Sequence, residues 1–514
     1  MARLYEFQGK KLLKENKIAV PIGGVAKSPE EAKKIAEEIN KPCILKGQLF
    51  ITGRAGLGLI KFANNPDEVY RITSEILGKK IGNQTVEFVL VEEKLDIERE
   101  FYAGVIIDDA KKCPVLIFSS VGGTGIEEIA KEYPDKVIRQ DISMLAGIRE
   151  HQVRNLLRKV DINGKLQLSL GSVIVSLYNI ARKYDARAVE INPLILAKNE
   201  KIIAADCRIT IDDYAVYKHP ELGIQIAREF DRPPTPLDVI AYKVEEGDYR
   251  GTFYFVQLEQ GYKKGEGYIG FHGAGGGGSM MSMDAVLKKG YKIANFCDTS
   301  GNPPASKVYR AAKIILSQGP IDGYFGSGSG VASQEQFHSA RGLVKAFREF
   351  QIDMPVVIRL GGNQEEKAIE IMSEGTKDLP ADVECYGKDT SVHYCAERFD
   401  ELVRSGKKKI VHPLSEKEKP KEPYSFKTVT GGEVIFDHSK CANCKTKICV
   451  VSCIPKILKL DNGKPVLNIS KEEAAKGKCT ECLACEIECG FRGNKGATII
   501  LPIPGLDEYL HKKI

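Results

Sequence analysis

No run of about 18 apolar residues interrupts this 514-residue sequence, so a membrane-spanning helix is not expected. The amino-terminal MARLYEFQGKKLLKEN is too polar for the apolar core of a signal peptide, and the chain is read as cytoplasmic. An excess of one charge sign is missing too: Lys and Arg total 75 against 69 Asp and Glu, a formal net charge of +6. That surplus is thinly spread, and no basic stripe carries interleaved aromatics, which argues against nucleic acid. No internal repeat is evident outside the carboxy-terminal end, and no cysteine cluster occurs before it. What remains is a globular composition, 43% apolar and 28% charged, enough to bury cores in about three or four domains.

The stretch SPEEAKKIAEEIN predicts a helix. Ser28 is its N-cap, Pro29 opens the first turn, Glu31 closes a capping box, and Ala32, Ile35, Ala36 and Ile39 share one face. A buried strand, PCILK, follows and leads into the Gly-punctuated GQLFITGRAGLGLIKF; VEFVLVEE, EFYAGVIID and PVLIFSS read as further strands. Residues 1–235 are therefore expected to be α+β with mixed strands, closing at the Pro-rich DRPPTPLD. Over 236–415 the rhythm becomes strand, Gly-rich turn and helix, as in GYIGFHGAGGGGSMMSMDAVLKKG and IDGYFGSGSGVASQEQFHSARGLVKAFREF. This predicts an α/β unit with a doubly wound, flavodoxin-like parallel sheet, in which Phe337, Ala340, Val344 and Phe347 form one helical face. The charged SEKEKPKEPYSFK suggests a linker over 416–430, before a small Cys-rich domain at 431–514.

Eight of the 14 cysteines fall between Cys441 and Cys489. The other six, Cys43, Cys113, Cys207, Cys297, Cys385 and Cys395, lie in apolar stretches and read as reduced core thiols. CANCKTKICVVSCIP and GKCTECLACEIECG fit the two-cluster bacterial ferredoxin pattern, in which the fourth Cys of each run ligates the other cluster. Cys441, Cys444, Cys449 and Cys489 are assigned to one [4Fe-4S] cluster, and Cys479, Cys482, Cys485 and Cys453 to a second. Two structural zinc sites are the competing reading. The first run departs from the pattern, with four residues between Cys444 and Cys449 and Pro455 only second after Cys453.

A second constellation follows from strand geometry. ARAVEINPLILAKNEKIIAADCRIT reads as two strands joined at Lys198, Asn199 and Glu200, so Ala197 pairs with Lys201 and Asn192 faces Asp206. Alternation puts Glu190 and Asn192 on one side, opposite Val189 and Ile191. An amide oxygen facing a carboxylate is a hard-oxygen pair suited to Mg²⁺ on nucleotide phosphates; an ordinary polar hairpin face is the alternative.

RLYEFQGKKLLKENKIAVP, LVEEKLDIEREFYAGVIID and AVEINPLILAKNEKIIAADCRITID resemble the ATP-grasp part of the succinyl-CoA synthetase β-subunit family, and the resemblance runs to about residue 410. GRAGLGL, GAGGGGSMMSMD and IRLGGNQEEKAIEIMSEG look nearer to ATP-citrate lyase. The resemblance implies an ATP-grasp domain at 1–235, a CoA-ligase domain at 236–415, and the nucleotide-binding subunit of an ADP-forming acid:CoA ligase using ATP and Mg²⁺. It assigns Lys46, Gly53 and Arg54 to the phosphates, Glu92, Glu93 and Leu95 to the adenine pocket, Glu100 to the ribose, and Asn192 and Asp206 to Mg²⁺. Ser329, in GSGSG, joins Lys46 and Arg54 as a catalytic residue facing a phosphohistidine. Gly56 departs from the family, which has Lys at that position. Ser329, Ala332, Gln334 and Leu360 do not repeat the citrate-holding residues, so a tricarboxylate is not expected.

None of the eight His sits in the family's phosphohistidine setting, and His272 reads as a loop residue, with phosphoryl carrier as the lesser reading. The resemblance therefore implies a hetero-oligomer with a CoA-binding α-type subunit that supplies this histidine and the CoA site for a small carboxylic acid. Two roles for the Cys-rich end follow. Either it links a working ligase to a ferredoxin-linked oxidoreductase, or the chain is chiefly an electron-transfer or scaffold subunit with a degenerate or regulatory ligase part. Because ligation is not a redox process, deleting residues 430–514 is expected to leave the ligase reaction largely intact.

Overall fold

A computed structural model describes residues 2–51, 53–82, 84–122, 126–228, 232–248, 253–328, 330, 332–407, 409 and 418–511. They form two compact units, Met1–Pro234 and Thr235–Ile514. Among the described residues no helix is long and apolar enough to cross a membrane.

In the first unit the predicted helix spans Pro29–Ile39. Its Ser28 hydroxyl accepts from the Glu31 N–H at 3.2 Å, and Glu31 reaches one residue further back than a capping box requires, to the Lys27 N–H at 2.7 Å. One sheet aligns Gly23–Ala26, Val89–Glu93, Cys43–Gly47 and Ile60–Ala63. A larger one runs from Ala2–Arg3 through Cys207–Ile211, Ala186–Ala197, Ile97–Asp108 and Cys113–Ser119 to Val137–Asp141, with Ile202–Ala204 beside Ala186–Ala197. Every one of these pairings is antiparallel, which corrects the expectation of mixed strands. Period-two alternation reports a strand's two faces but not its direction.

In the second unit Lys292–Asp298, Tyr268–Ala274, Gly323–Gly328, Val356–Arg359 and Val383–Tyr386 form a parallel sheet in that order, with Tyr254–Gln257 antiparallel at the edge. Val356 and Ile358 turn to one core and Val357 to the other, so helices cover both faces. This is the doubly wound arrangement that the strand–turn–helix rhythm predicts.

The Cys-rich end is not a separate body. Pro423–Lys427, expected to be linker, is a strand pairing with Glu433–Asp437, which in turn pairs with Ala497–Ile500. The charges of this segment suggested solvent, yet Phe426 turns into the core while its neighbours stay outside. Residues 408 and 410–417 of the expected domain end and linker lie outside the described residues. A second hairpin, Leu458–Asp461 with Lys464–Leu467, turns at Asn462–Gly463, both at positive φ as an Asn-Gly turn requires. Phe426, Val434, Phe436, Ile487 and Ile499 belong to the same hydrophobic core as Ala340, Val344 and Phe347. The cysteine-bearing helix Ala484–Arg492 packs on Phe337–Phe350: Glu488 meets Arg341 at 3.3 Å, Glu486 meets Lys345 at 2.8 Å, and all four are buried.

Candidate functional site

Lys46, on the strand Cys43–Gly47, is buried among charges. It donates to Glu6 Oε1 at 2.8 Å and to the Ala205 carbonyl at 2.6 Å, and lies 3.0 Å from Glu92 Oε2. Lys10, one helical turn from Glu6, donates to both Glu92 oxygens at 2.6 Å and to Ala205 O at 2.7 Å. Arg54 forks between Glu6 Oε2 and Asp206 Oδ2, each at 2.8 Å. Three cations thus meet three carboxylates. Burial alone would push each toward neutrality, but the Lys10, Lys46 and Arg54 charges hold Glu6 well below the usual carboxylate range. Glu6 and its neighbouring carboxylates in turn hold Lys46 and Arg54 above theirs, again against burial.

Asp206 is the open member. Its side chain is 28% exposed against 2% and 3% for Glu6 and Glu92. Burial and the Glu6 charge push its carboxyl above the ordinary aspartate range, against the pull of Arg54, Lys46 and Lys10. Opposite it, Ala197 N–H donates to Lys201 O at 2.9 Å, Leu194 pairs with Ala204, and Asn192 N–H donates to Asp206 O at 3.2 Å. That register is the one counted from the sequence. An amide and a carboxylate facing each other, the carboxylate being one that electrostatics disfavour, fit a hard divalent cation. Glu190, on the same strand, accepts from the Tyr102 hydroxyl at 2.6 Å.

The remaining predicted residues distribute around this cluster. Gly53 and Gly58 take positive φ, and the loop closes on itself through Gly56 N–H to Gly53 O at 3.1 Å and Leu59 N–H to Arg54 O at 3.1 Å. Glu92 spends its carboxylate on Lys10 and Lys46, and Glu93 spends its own on Lys41 and the Ile22 N–H. Leu95, just beyond their strand, packs on Ile195 and Ile203. Glu100 lies on the strand Ile97–Asp108 opposite Ile195, and a side chain at Gly122 would strike its Cβ at 2.3 Å. Glu6 and Lys10 were missed from the sequence. Their signal is two charges four apart on the helix face that also carries Gly9 and Leu13.

In the second unit the strand order reverses at Tyr268–Ala274 and Gly323–Gly328, and both Gly-rich turns leave from the carboxyl ends of these strands. A crevice at such a reversal is where open α/β sheets bind ligands. Arg359 ties its rim, donating to Gly328 O at 3.0 Å, Lys388 O and Thr390 O at 2.7 Å. Ser329 lies outside the described residues. The helix expected to start at this loop begins only at Phe337.

His272 is not a loop residue. It lies buried in the strand Tyr268–Ala274, with Nδ1 2.5 Å from the Tyr324 hydroxyl and Nε2 3.3 Å from Thr299 Oγ1. Both ring nitrogens are engaged, and burial lowers its pKa to about 4. A histidine kept neutral in the fold but protonated when unfolded makes stability fall as pH drops from about 6.5 to about 4, by about 3 kcal/mol in all. His272→Gln is expected to lose that part of the acid sensitivity, read as the difference between the two proteins in urea midpoint at pH 7 and pH 4.5.

All eight carboxy-terminal cysteines are described and none is in a disulfide. Cys453, Cys479, Cys482 and Cys485 line one small pocket with Pro455, Ile457 and Leu483. Burial, then Cys489 and Cys444, push Cys441 up to about 11; burial, then Cys489 and Cys441, push Cys449 up to about 12. Burial, then Cys482, Cys479, Cys453 and Cys449, likewise push Cys485 up, so the eight thiols gather at this end of the second unit. Among the described residues no three Cys, His, Asp or Glu side chains converge tightly enough to hold a single metal ion.

The fold and cluster of the first unit define an ATP-grasp protein, and the ATP-grasp domain profile matches residues 3–196. A profile described as ATP citrate lyase citrate-binding matches 262–398, so the Cys-rich end lies outside both. The chain is 37% identical over 370 residues to the GDP-forming succinate–CoA ligase β subunit of Thermus thermophilus, covering 72% of this chain and 93% of that one. It is 34% identical over 403 residues to the ADP-forming β subunit of Methanothermobacter thermautotrophicus, covering 78% and 100%. The chain belongs to the succinate–CoA ligase β-subunit family. Its fold is shared by the ATP citrate lyase of Methanothrix soehngenii, solved with citrate and coenzyme A, at a TM-score of 0.62 and 20% identity over 78% of this chain and 99% of that one.

Proposed function

We propose that this chain is the nucleotide-binding subunit of an ADP-forming acid:CoA ligase that works with an α-type subunit, and that its Cys-rich end carries two [4Fe-4S] clusters serving a ferredoxin-linked oxidoreductase. The observation that carries the ligase reading is the meeting of Lys46, Arg54 and Asp206 in one buried cluster, with Asn192 facing Asp206. Lys46 and Arg54 neutralise phosphate oxygens, trading their carboxylate partners for phosphate. Asn192 and Asp206 hold Mg²⁺, which supplies charge neutralisation on the transferring phosphate. Glu6 keeps Arg54 aimed at Asp206, and Glu92 keeps Lys10 and Lys46 together. Glu100 is the ribose partner, with Leu95 beside the base.

The relatives named above are β subunits of succinate–CoA ligases, and this supports a hetero-oligomer whose partner brings the phosphohistidine and the CoA site. Burial and double engagement of His272 support the same division of labour. Incubated alone with labelled ATP and Mg²⁺, this chain is expected to retain no acid-labile phosphate; with an α-type subunit, CoA and a short-chain acid it is expected to form ADP. Label on His272 would refute the two-chain scheme. No ADP formation with any acid would favour the second reading, an electron-transfer or scaffold subunit, whose support is the four-cysteine pocket.

A further inference from the structure

Between Lys440 and Lys495 the sequence has eleven Lys and Arg against six Asp and Glu. Three of the six, Glu481, Glu486 and Glu488, are buried toward Arg310, Lys345 and Arg341 of the same unit. The fold therefore takes half of the local negative charge inward and leaves the exposed part of this segment basic. Beside the first thiol set this basic surface holds Lys445, Lys447, Arg492 and Lys495: Lys447 Nζ donates to Cys441 O at 2.6 Å, and Thr446, next to Lys445, donates to Arg492 O at 2.9 Å. Cys444 is the most open member of that set, and Lys445 and the Asn494–Lys495 turn flank it, the Lys495 N–H reaching Cys489 O at 3.3 Å. Lys445 and Lys495 enter no ion pair among the described residues, whereas Arg492 is held by Glu370 and Lys464 by Glu422. Val451, 75% exposed, ends the short helix Ile448–Val451 that carries Cys449 and offers an apolar contact on this side. At the second thiol set, Glu481, between Cys479 and Cys482, is buried: it accepts from Thr428 and Thr430 and pairs with Arg310.

We infer that this basic face docks an acidic one-electron carrier protein, which exchanges electrons with the chain at Cys444. The inference rests on the two-cluster reading. One electron leaves the reduced carrier and one cluster gains it; no bond between heavy atoms forms or breaks. Opposite charges speed encounter and make it salt-sensitive, while the exposed Val451 supplies short-range apolar contact. A carrier with a basic face would be repelled.

The test uses the full chain reconstituted with iron and sulfide. An acidic flavodoxin, photoreduced, is expected to reduce it with a second-order rate that falls steeply between low salt and about 0.5 M, and to bind it in a calorimetric titration. Lys445→Glu combined with Lys495→Glu should slow that reduction at least tenfold and weaken binding in parallel, while iron content and reduction by dithionite stay unchanged. Unaltered flavodoxin rate and binding in that variant, with iron intact, would overturn the docking face and leave the cluster reading standing. Failure of the parent chain to hold iron would overturn both, and the iron assay tells the two failures apart.

Discussion

A chain lacking residues 430–514 is expected to lose its second unit, not merely its redox end. Sequence alone suggested a removable module behind a linker, but Phe426, Val434, Phe436, Ile487 and Ile499 share one core with Ala340, Val344 and Phe347. A side chain at Gly375 would strike Val344 at 2.5 Å and meet Phe491 at 3.1 Å, so the two segments are in close packing there. At about 1.5–3 kcal/mol per buried apolar side chain, opening that core costs on the order of 10 kcal/mol, against a total stability of about 5–15. The truncated chain should be recovered aggregated, or with no cooperative melt for the second unit, and any ligase activity should vanish with it. A point variant isolates the charge contribution. Glu488→Gln in the full chain leaves Arg341 buried without its carboxylate and should lower stability by about 3–5 kcal/mol, with every cysteine in place. A truncated chain that melts as sharply and as high as the full one would show two separate cores.

Asp206→Ala is expected to reduce ADP formation by the assembled ligase at least about a hundredfold, the loss of several kcal/mol of charge stabilisation at the phosphates. The fold should survive. Asp206 is the partly exposed carboxylate of the cluster, and Arg54 keeps Glu6 at 2.8 Å when Asp206 is gone. Asp206→Asn should lie between, because an amide oxygen still coordinates but carries no charge. The measurement is ADP release at saturating Mg²⁺ alongside a thermal melt. Turnover within a few-fold of the parent, with the melt unchanged, would remove Asp206 from the metal site.

Short-range rules made some of this protein legible from its sequence. Ser28 and Pro29 announce a helix because capping is decided within one turn, and Asn192 faces Asp206 because a tight turn sets the register of both strands. Tertiary structure alone decided which charges go inside. Lys10 with Glu92 and Lys46 with Glu6 are 82 and 40 residues apart in sequence, and a Lys or Glu on a helix ordinarily reads as a solvated face. Burial of Glu481, Glu486 and Glu488 was equally hidden, since their positions resemble surface positions until Arg310, Lys345 and Arg341 arrive from another part of the chain. The Cys-rich end looked detachable because a run of Lys and Glu reads as linker. Only packing reveals that Phe426, just beyond that run, is committed to a shared core, because the apolar surface that covers it comes from elements far away in sequence.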